Sequence, residues 1–141
     1  MTTYADTSVL VSLYLTDRNS EEARRRVAEY SPLWLTPLHI AEWTHAIAQH
    51  VFRGNLSAAE AKQFVAHFAR DRSGVAFNEA ALPDQAFEAC TLLGRRHTAR
   101  LGTRTLDTLH VACALELKAE RFWTFDERQR KLARAAGLRI A

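Results

Sequence analysis

Short apolar runs alternate along the chain with longer segments whose apolar residues recur every three to four positions. The short runs predict strands at residues 2–5, 33–35, 75–77, 121–124 and 138–140. The longer segments predict helices at residues 8–15, 20–30, 37–53, 58–72, 82–97, 108–117 and 127–136. Because short apolar strands alternating with helices are typical of buried parallel sheets, the pattern predicts an α/β fold with a mostly parallel sheet covered by helices.

Capping residues support several of these boundaries. Thr36 precedes Pro37, which suits the first helical position because the missing proline N–H would have no partner there. Ser57 and Glu60 have the spacing of a capping box, in which each side chain satisfies a backbone donor of the other. Glycine and proline are scattered and no repeat is visible, so residues 1–141 are predicted to form one domain.

Composition narrows the class of protein. With 141 residues and 48% hydrophobic content, the chain can build a core of ordinary size. Cys90 and Cys113 lie in helical patterns without metal-ligand spacing, so we expect buried reduced thiols. No apolar run approaches the ~18 residues of a membrane span, and we expect a soluble cytoplasmic protein. Nineteen basic against 16 acidic residues permit a polyanionic partner without requiring one.

Four acids stand in positions that are unusual for solvated side chains. Asp6 and Asp126 each follow a predicted strand and precede a predicted helix. Either one alone is typical of a helix N-cap. The carboxyl ends of parallel strands are also where open sheets bind ligands. Glu42 and Asp107 lie in apolar helical segments, where an unpaired carboxylate would be costly to bury.

Two kinds of partner could compensate these acids. A hard divalent cation such as Mg²⁺ binds carboxylate oxygens, and the chain has no set of cysteines and histidines spaced for zinc. Alternatively, Arg104 lies three residues before Asp107 and Arg53 follows Glu42 by a few turns, so structural ion pairs remain open.

Other chemistry-bearing residues have simpler interpretations. Three histidines, spaced six and five residues apart, do not share one helical face: His39, His45 and His50. Three tryptophans on apolar strands or helix faces are expected in the core, namely Trp34, Trp43 and Trp123.

In order along the chain, these features match a known family. An opening strand ends in the triplet DTS at residues 6–8, Glu42 is helical, the stretch DTLHVACA occupies residues 107–114, and TFD occupies residues 124–126. The chain therefore resembles the PIN-domain ribonucleases, and among them the VapC-type toxins of bacterial toxin–antitoxin pairs. The resemblance covers the chain from Asp6 to the last helix and implies a three-layer α/β/α sandwich.

The resemblance also implies a site and a reaction. Its acidic pocket would consist of Asp6, Glu42, Asp107 and Asp126 and would hold Mg²⁺ or Mn²⁺. The hydroxyls of Thr7 and Thr124 would support the pocket. In such a pocket the cation activates water for hydrolysis of an RNA phosphodiester bond, which leaves 5′-phosphate and 3′-hydroxyl ends. Residues 102–106 lack the further acid that some members have there, which leaves the number of metals open.

Partners follow from the same resemblance. Arginines close in sequence to the acids are expected to contact RNA phosphates, and these are Arg100, Arg104, Arg128 and Arg130. Arg24, Arg25 and Arg26 fit a solvated helix face. A groove around the early helices would receive a helix of the antitoxin, and the toxin would form a homodimer. His110 matches the family's helix pattern and is expected to be structural.

Two other functions fit part of the same pattern. A phosphatase with Asp6 as nucleophile needs an acid two residues later, where the chain has Ser8. A PIN-like domain could instead bind RNA or a protein without cutting. All four acids of the pattern are present, which favours activity.

Overall fold

Five short parallel strands form one sheet in the computed structural model, which describes residues 2–141. The strands are β1 (Thr3–Ala5), β2 (Leu33–Leu35), β3 (Phe77–Glu79), β4 (Arg121–Trp123) and β5 (Arg139–Ile140). They lie in the order β3-β2-β1-β4-β5, so β1 is central. The chain leaves β1 toward β2 on one side and reaches β4 on the other. The gap between the ends of β1 and β4 is therefore the switch point at which such sheets bind ligands.

Helices cover both faces of the sheet. They are α1 (Thr7–Tyr14), α2 (Ser20–Tyr30), α3 (Pro37–Phe52), α4 (Ala58–Ser73), α5 (Ala86–Leu93), α6 (Ala99–Leu101), α7 (Thr105–Glu116) and α8 (Glu127–Ala135). A π-helical turn, Gly94–Thr98, joins α5 to α6. No helix among residues 2–141 is both long and apolar enough to cross a membrane.

Successive strand residues point into two separate cores. Tyr4 and Phe122 pack with α5, α7 and α8 on one face. Ala5 and Trp123 pack with α1 to α4 on the other face. This alternation follows from the two-residue period of a strand. It confirms the predicted α/β/α sandwich with a parallel sheet.

The predicted caps and thiols are also found. Ser57 Oγ accepts from the Glu60 backbone N–H at 3.1 Å, and the Glu60 carboxylate accepts from the Ser57 N–H at 3.0 Å. Helix α3 begins at Pro37, and the Thr36 N–H donates to Nδ1 of His39 at 3.0 Å. His39 therefore accepts the Thr36 N–H, as the glutamate of a capping box accepts the N–H of the N-cap residue. Both cysteines are buried and free.

Three predicted boundaries were wrong. The strand predicted at residues 75–77 begins at Phe77, because its pairing with Leu33 of β2 sets its position and leaves Val75 91% exposed. The helix predicted from residue 82 begins at Ala86, after a turn closed by the Ala86 N–H on the Pro83 carbonyl, and passes into the π-helical turn. The helix predicted from residue 108 begins three residues earlier, at Thr105.

Candidate active site

Asp6 lies at the carboxyl end of β1 and is 8% exposed. Its backbone N–H donates to the Trp123 carbonyl at 2.9 Å, which ties the ends of β1 and β4 together. Its Oδ2 caps α1 by accepting from the Ser8 N–H at 3.1 Å and from the Ser8 hydroxyl. Its Oδ1 accepts from Nε2 of Gln129 at 3.1 Å. Asp6 is therefore a helix cap and also presents a fixed carboxylate at the switch point.

Asp126 has the same setting at the end of β4. Its Oδ1 caps α8 by accepting from the Gln129 backbone N–H at 2.9 Å. The Asp126 N–H donates to Oγ1 of Thr124 at 3.0 Å. Strand-end pairing and helix capping thus fix the positions of both aspartates, as their sequence context predicted.

The four predicted acids line one cleft of about 580 Å³, between the start of α1, one face of α3 and the start of α7. Asp107 and Asp126 also line a second pocket, of about 340 Å³, together with Arg128 and with Arg104, which borders both pockets. The two aspartates therefore form a ridge between two open depressions.

Glu42 is compensated by a histidine rather than by Arg53, which the sequence left as a possible partner. Its Oε1 accepts from Thr7 Oγ1 at 2.8 Å and from Nε2 of His110. Nδ1 of His110 lies 2.7 Å from the Tyr4 hydroxyl. Burial disfavours the charged ring, but the hydrogen bond to Glu42 and the charge of Asp6 raise the pKa of His110 above 6.5. A buried histidine that favours protonation therefore balances the charge of Glu42.

The three histidines of α3 have separate environments. His39 accepts from Thr36 at Nδ1 and therefore donates from Nε2 to the Ala5 carbonyl, at 2.9 Å. Burial and the charge of His110 lower the pKa of His39 to about 3, so its ring is neutral. His45 and His50 line the cleft, and Nδ1 of His45 donates to the Ala41 carbonyl at 2.8 Å.

Asp107 carries a charge that its surroundings disfavour. Burial raises its pKa, a hydrogen bond from Arg104 lowers it, and the charges of Asp6 and Asp126 raise it again, so that the net shift is upward. Arg104 Nε lies 3.1 Å from Asp107 Oδ2, but the arginine side chain is 82% exposed. The predicted ion pair is present, and solvent screening weakens it.

Asp6 differs from Asp107 in how its charge is held. Burial raises the pKa of Asp6, but the charge of His110 and the hydrogen bonds from Ser8 and Gln129 outweigh it, so the net shift is downward. The surroundings therefore favour the ionised form of Asp6 and disfavour the ionised form of Asp107.

The donor set fits a hard cation. Asp6, Asp107 and Asp126 offer carboxylate oxygens, which Mg²⁺ and Mn²⁺ prefer, and the raised pKa of Asp107 marks negative charge that a cation would offset. As arranged in residues 2–141, no three side chains of the acid, histidine or cysteine type meet around a common ion position. Binding would require Asp107 to turn from Arg104 toward the other two carboxylates.

A model of the PIN domain family matches residues 3–135. The chain belongs to the PIN-domain family. A search of curated protein sequences found no match for this PIN domain.

Solved structures share the fold of this PIN domain. VapC20 of Mycobacterium tuberculosis, a sarcin-ricin loop cleaving toxin, is 17% identical with a TM-score of 0.71, over 96% of this chain and 95% of that one. FitAcB of Neisseria gonorrhoeae is 15% identical with a TM-score of 0.69, over 98% and 95%. VapBC2 of Rickettsia felis, bound to a DNA fragment from its promoter, is 12% identical with a TM-score of 0.67, over 100% and 98%. At these identities the similarity establishes the fold.

The four predicted RNA-binding arginines of the PIN domain occupy different positions. Arg104 and Arg128 line the pocket beside the aspartate ridge. Arg100 instead contacts Nδ1 of His97, at 3.0 Å. Arg130 is held by the Glu127 carboxylate at 2.8 Å and the Thr124 carbonyl at 3.0 Å. The fold therefore brings two of the four to the acids.

Two residues of the site escaped sequence reasoning. Gln129, 1% exposed, bonds to Asp6 across 123 positions of sequence and also contacts the Asp107 carbonyl. His110 was expected to be structural, yet it is the direct partner of Glu42. Gln129 is one polar residue among many in α8, so the sequence around it does not indicate that it is buried at the site.

Proposed function

We propose that this PIN domain is a metal-dependent endoribonuclease and the toxin of a toxin–antitoxin pair. The observation that carries the proposal is the cluster of Asp6, Asp107 and Asp126 at the switch point of the sheet, where burial and the charges of the other two aspartates raise the pKa of Asp107. Membership of the PIN-domain family supports the nuclease, and the toxins among the similar folds support the biological role.

The acids and Thr7 would have different roles at this site. Asp6, Asp107 and Asp126 would hold Mg²⁺ or Mn²⁺, and Glu42 completes the acidic cleft from α3. A cation held there supplies polarisation of a phosphodiester oxygen and charge for the leaving oxygen. Thr7 orients Glu42 through its hydroxyl.

Two arginines beside the aspartates would bind the RNA substrate. Arg104 and Arg128 border the pocket next to Asp107 and Asp126, within reach of an RNA backbone that crosses the acids. Phosphate contacts of this kind supply affinity without reading sequence. The RNA target would then depend on cleft shape and RNA fold.

Partners follow from the same proposal. VapBC2 and FitAcB share the fold over nearly the whole chain, which supports a cognate antitoxin protein as partner. We also propose a homodimer, and inhibition of translation through RNA cleavage, as the toxin role implies.

An assay with purified protein and end-labelled RNA tests whether cleavage depends on metal. Cleavage should require Mg²⁺ or Mn²⁺, stop in EDTA, and be lost in Asp6→Asn and Asp126→Asn. Asparagine caps helices about as well as aspartate, so these variants remove charge and keep the caps. The exposed Asp84 lies outside the cleft, and Asp84→Asn is the matched control.

Cleavage that survives EDTA, or that is unchanged in both cleft variants, would refute the proposal. Retained RNA affinity without any metal-dependent product would show instead that the domain is an RNA-binding module. Ligation of the products to adapters identifies the 5′-phosphate and 3′-hydroxyl ends that hydrolysis should leave.

A further inference from the structure

Gln129 contacts Asp6 and the backbone of Asp107 through its side-chain amide, and Asp126 through its backbone N–H. We propose that Gln129 is a positioning residue for a divalent cation, because it fixes the carboxylates of Asp6 and Asp126 and the backbone that carries Asp107. This inference rests on the proposed function. Nε2 of Gln129 donates to Asp6 Oδ1 and to the Asp107 carbonyl, each at 3.1 Å. The Gln129 backbone N–H donates to Asp126 Oδ1 at 2.9 Å. One residue therefore contacts all three.

Thr124 determines which way the amide faces. Its hydroxyl donates to Gln129 Oε1 at 2.6 Å, and both residues are buried. With Oε1 engaged by a donor, the NH₂ group faces Asp6 and the Asp107 carbonyl, both of which are acceptors. Reversal of the amide would place two oxygens against each other at Asp6. The Thr124 hydroxyl also accepts from the Asp126 N–H, so its position is itself fixed.

The neutrality of the amide matters as much as its position. A lysine or arginine at this site would add a positive charge that offsets the charge that attracts a cation. Gln129 donates hydrogen bonds without adding charge, so the carboxylates remain available. Partners that orient metal ligands in this way typically change metal affinity by about 10–100-fold when they are removed.

The test measures Mn²⁺ binding by isothermal titration calorimetry, with RNA cleavage as a second readout. Gln129→Met keeps the length of the side chain and removes its hydrogen bonds, while the backbone bond to Asp126 remains. Thr124→Val removes the donor that orients the amide. Thr3→Val is the matched control, because Thr3 is equally buried and its hydroxyl bonds to Arg121 at the opposite end of β1.

Gln129→Met and Thr124→Val should each weaken Mn²⁺ binding by about tenfold or more. Thr124 acts on Asp6 only through the Gln129 amide, although it also bonds to the Asp126 N–H, so the double variant should lose clearly less affinity than the sum of the two single losses. Thr124→Ser keeps the hydroxyl and should bind like the wild type, as should Thr3→Val. At saturating Mn²⁺ the KM for RNA should be unchanged in Gln129→Met.

Wild-type Mn²⁺ affinity in Gln129→Met, or additive losses in the double variant, would overturn this role and leave the proposed nuclease intact. If Gln129→Met fails to fold, unchanged Mn²⁺ affinity in Thr124→Val, with Thr3→Val as the control, would equally overturn the role. A wild-type protein that neither binds Mn²⁺ nor cleaves RNA would refute the proposed function itself, and this inference with it.

Discussion

The two ends of the acidic cleft hold their carboxylates in different ways. At the glutamate end, Glu42 faces His110, a buried ring whose raised pKa favours the protonated form. At the aspartate end, Asp6, Asp107 and Asp126 are oriented by backbone N–H groups, by Ser8 and Gln129, and by one exposed arginine. Positive charge is buried and in direct contact with the carboxylate at the first end, whereas at the second end it comes from His110 at longer range and from an exposed arginine.

This difference assigns separate tasks to the two ends. A carboxylate that is already paired with a protonated histidine adds little attraction for a cation, because the histidine neutralises its charge. Three carboxylates oriented by mostly neutral donors keep their charge and repel one another. The aspartate end is therefore where a cation would gain most, while the glutamate end contributes to stability.

Asp107→Asn should have the largest effect and should separate activity from stability. Cleavage should fall on the order of 10²–10³-fold, the usual loss when one preorganised electrostatic group is removed. The folded-state pKa of Asp107 is raised above its ordinary 3.8, so its ionised form destabilises the fold at neutral pH. Thermal melting in EDTA at pH 7 should show the variant to be at least as stable as the wild type.

The stability gain of Asp107→Asn should shrink as the pH falls through the raised pKa, because the wild-type carboxyl then takes up its proton. A variant that is inactive and also clearly destabilised at pH 7 would contradict the assignment of uncompensated charge to the aspartate end.

Glu42→Gln should show the opposite sign. His110 has a raised pKa in the folded state, so its protonation stabilises the fold fully below pH 6.5, and this contribution is lost as the pH rises through the raised value. Loss of the charged partner should cost about 1.5–3 kcal/mol at pH 6. The cost should diminish at pH 9. Denaturation by urea in EDTA at both pH values measures it.

Glu22→Gln provides the matched control for Glu42→Gln. Glu22 pairs with Arg26 on the surface of α2, and its side chain is 47% exposed. Its loss should have a small effect that is similar at both pH values. An equal cost of Glu42→Gln at pH 6 and pH 9 would show that His110 is neutral in the folded protein.

Arg104→Ala should have the smallest effect, confined to RNA binding. Removal of one phosphate contact should raise the KM for RNA and reduce the slope of log affinity against log salt by about 0.7. Stability should change little, because the pair with Asp107 is exposed. Arg25→Ala, on the exposed side of α2, should leave the slope unchanged. A slope unaltered in Arg104→Ala would place the RNA elsewhere.

Local signals in the sequence predicted most of the fold. The strand-to-helix junctions at Asp6 and Asp126 and the capping box at Ser57 are decided within a few residues, and each has its expected structure. Hydrophobicity alone misplaced β3, since Val75 is as apolar as a strand residue but has no partner in β2. Pairing between strands, which local pattern cannot supply, decided that boundary.

The sequence led us to expect that four acids lie together, and they do line one cleft, although their roles stay a prediction; it did not indicate the residues that support them. Asp6 and Glu42 were identified from their apolar surroundings and their order along the chain. Gln129 and His110 act through contacts that span 123 and 68 positions. Nothing within a helical turn of either residue records such a contact. The arginines show the same limit, since Arg100 is near Asp107 in sequence but faces His97.

The ridge formed by Asp107 and Asp126 borders a depression on each side. A linear polymer can lie across such a saddle with both of its ends far away. An enzyme that trims termini needs a blind pocket to measure from the end, whereas this shape admits a loop or an internal segment. This shape suits the endonucleolytic cleavage proposed above.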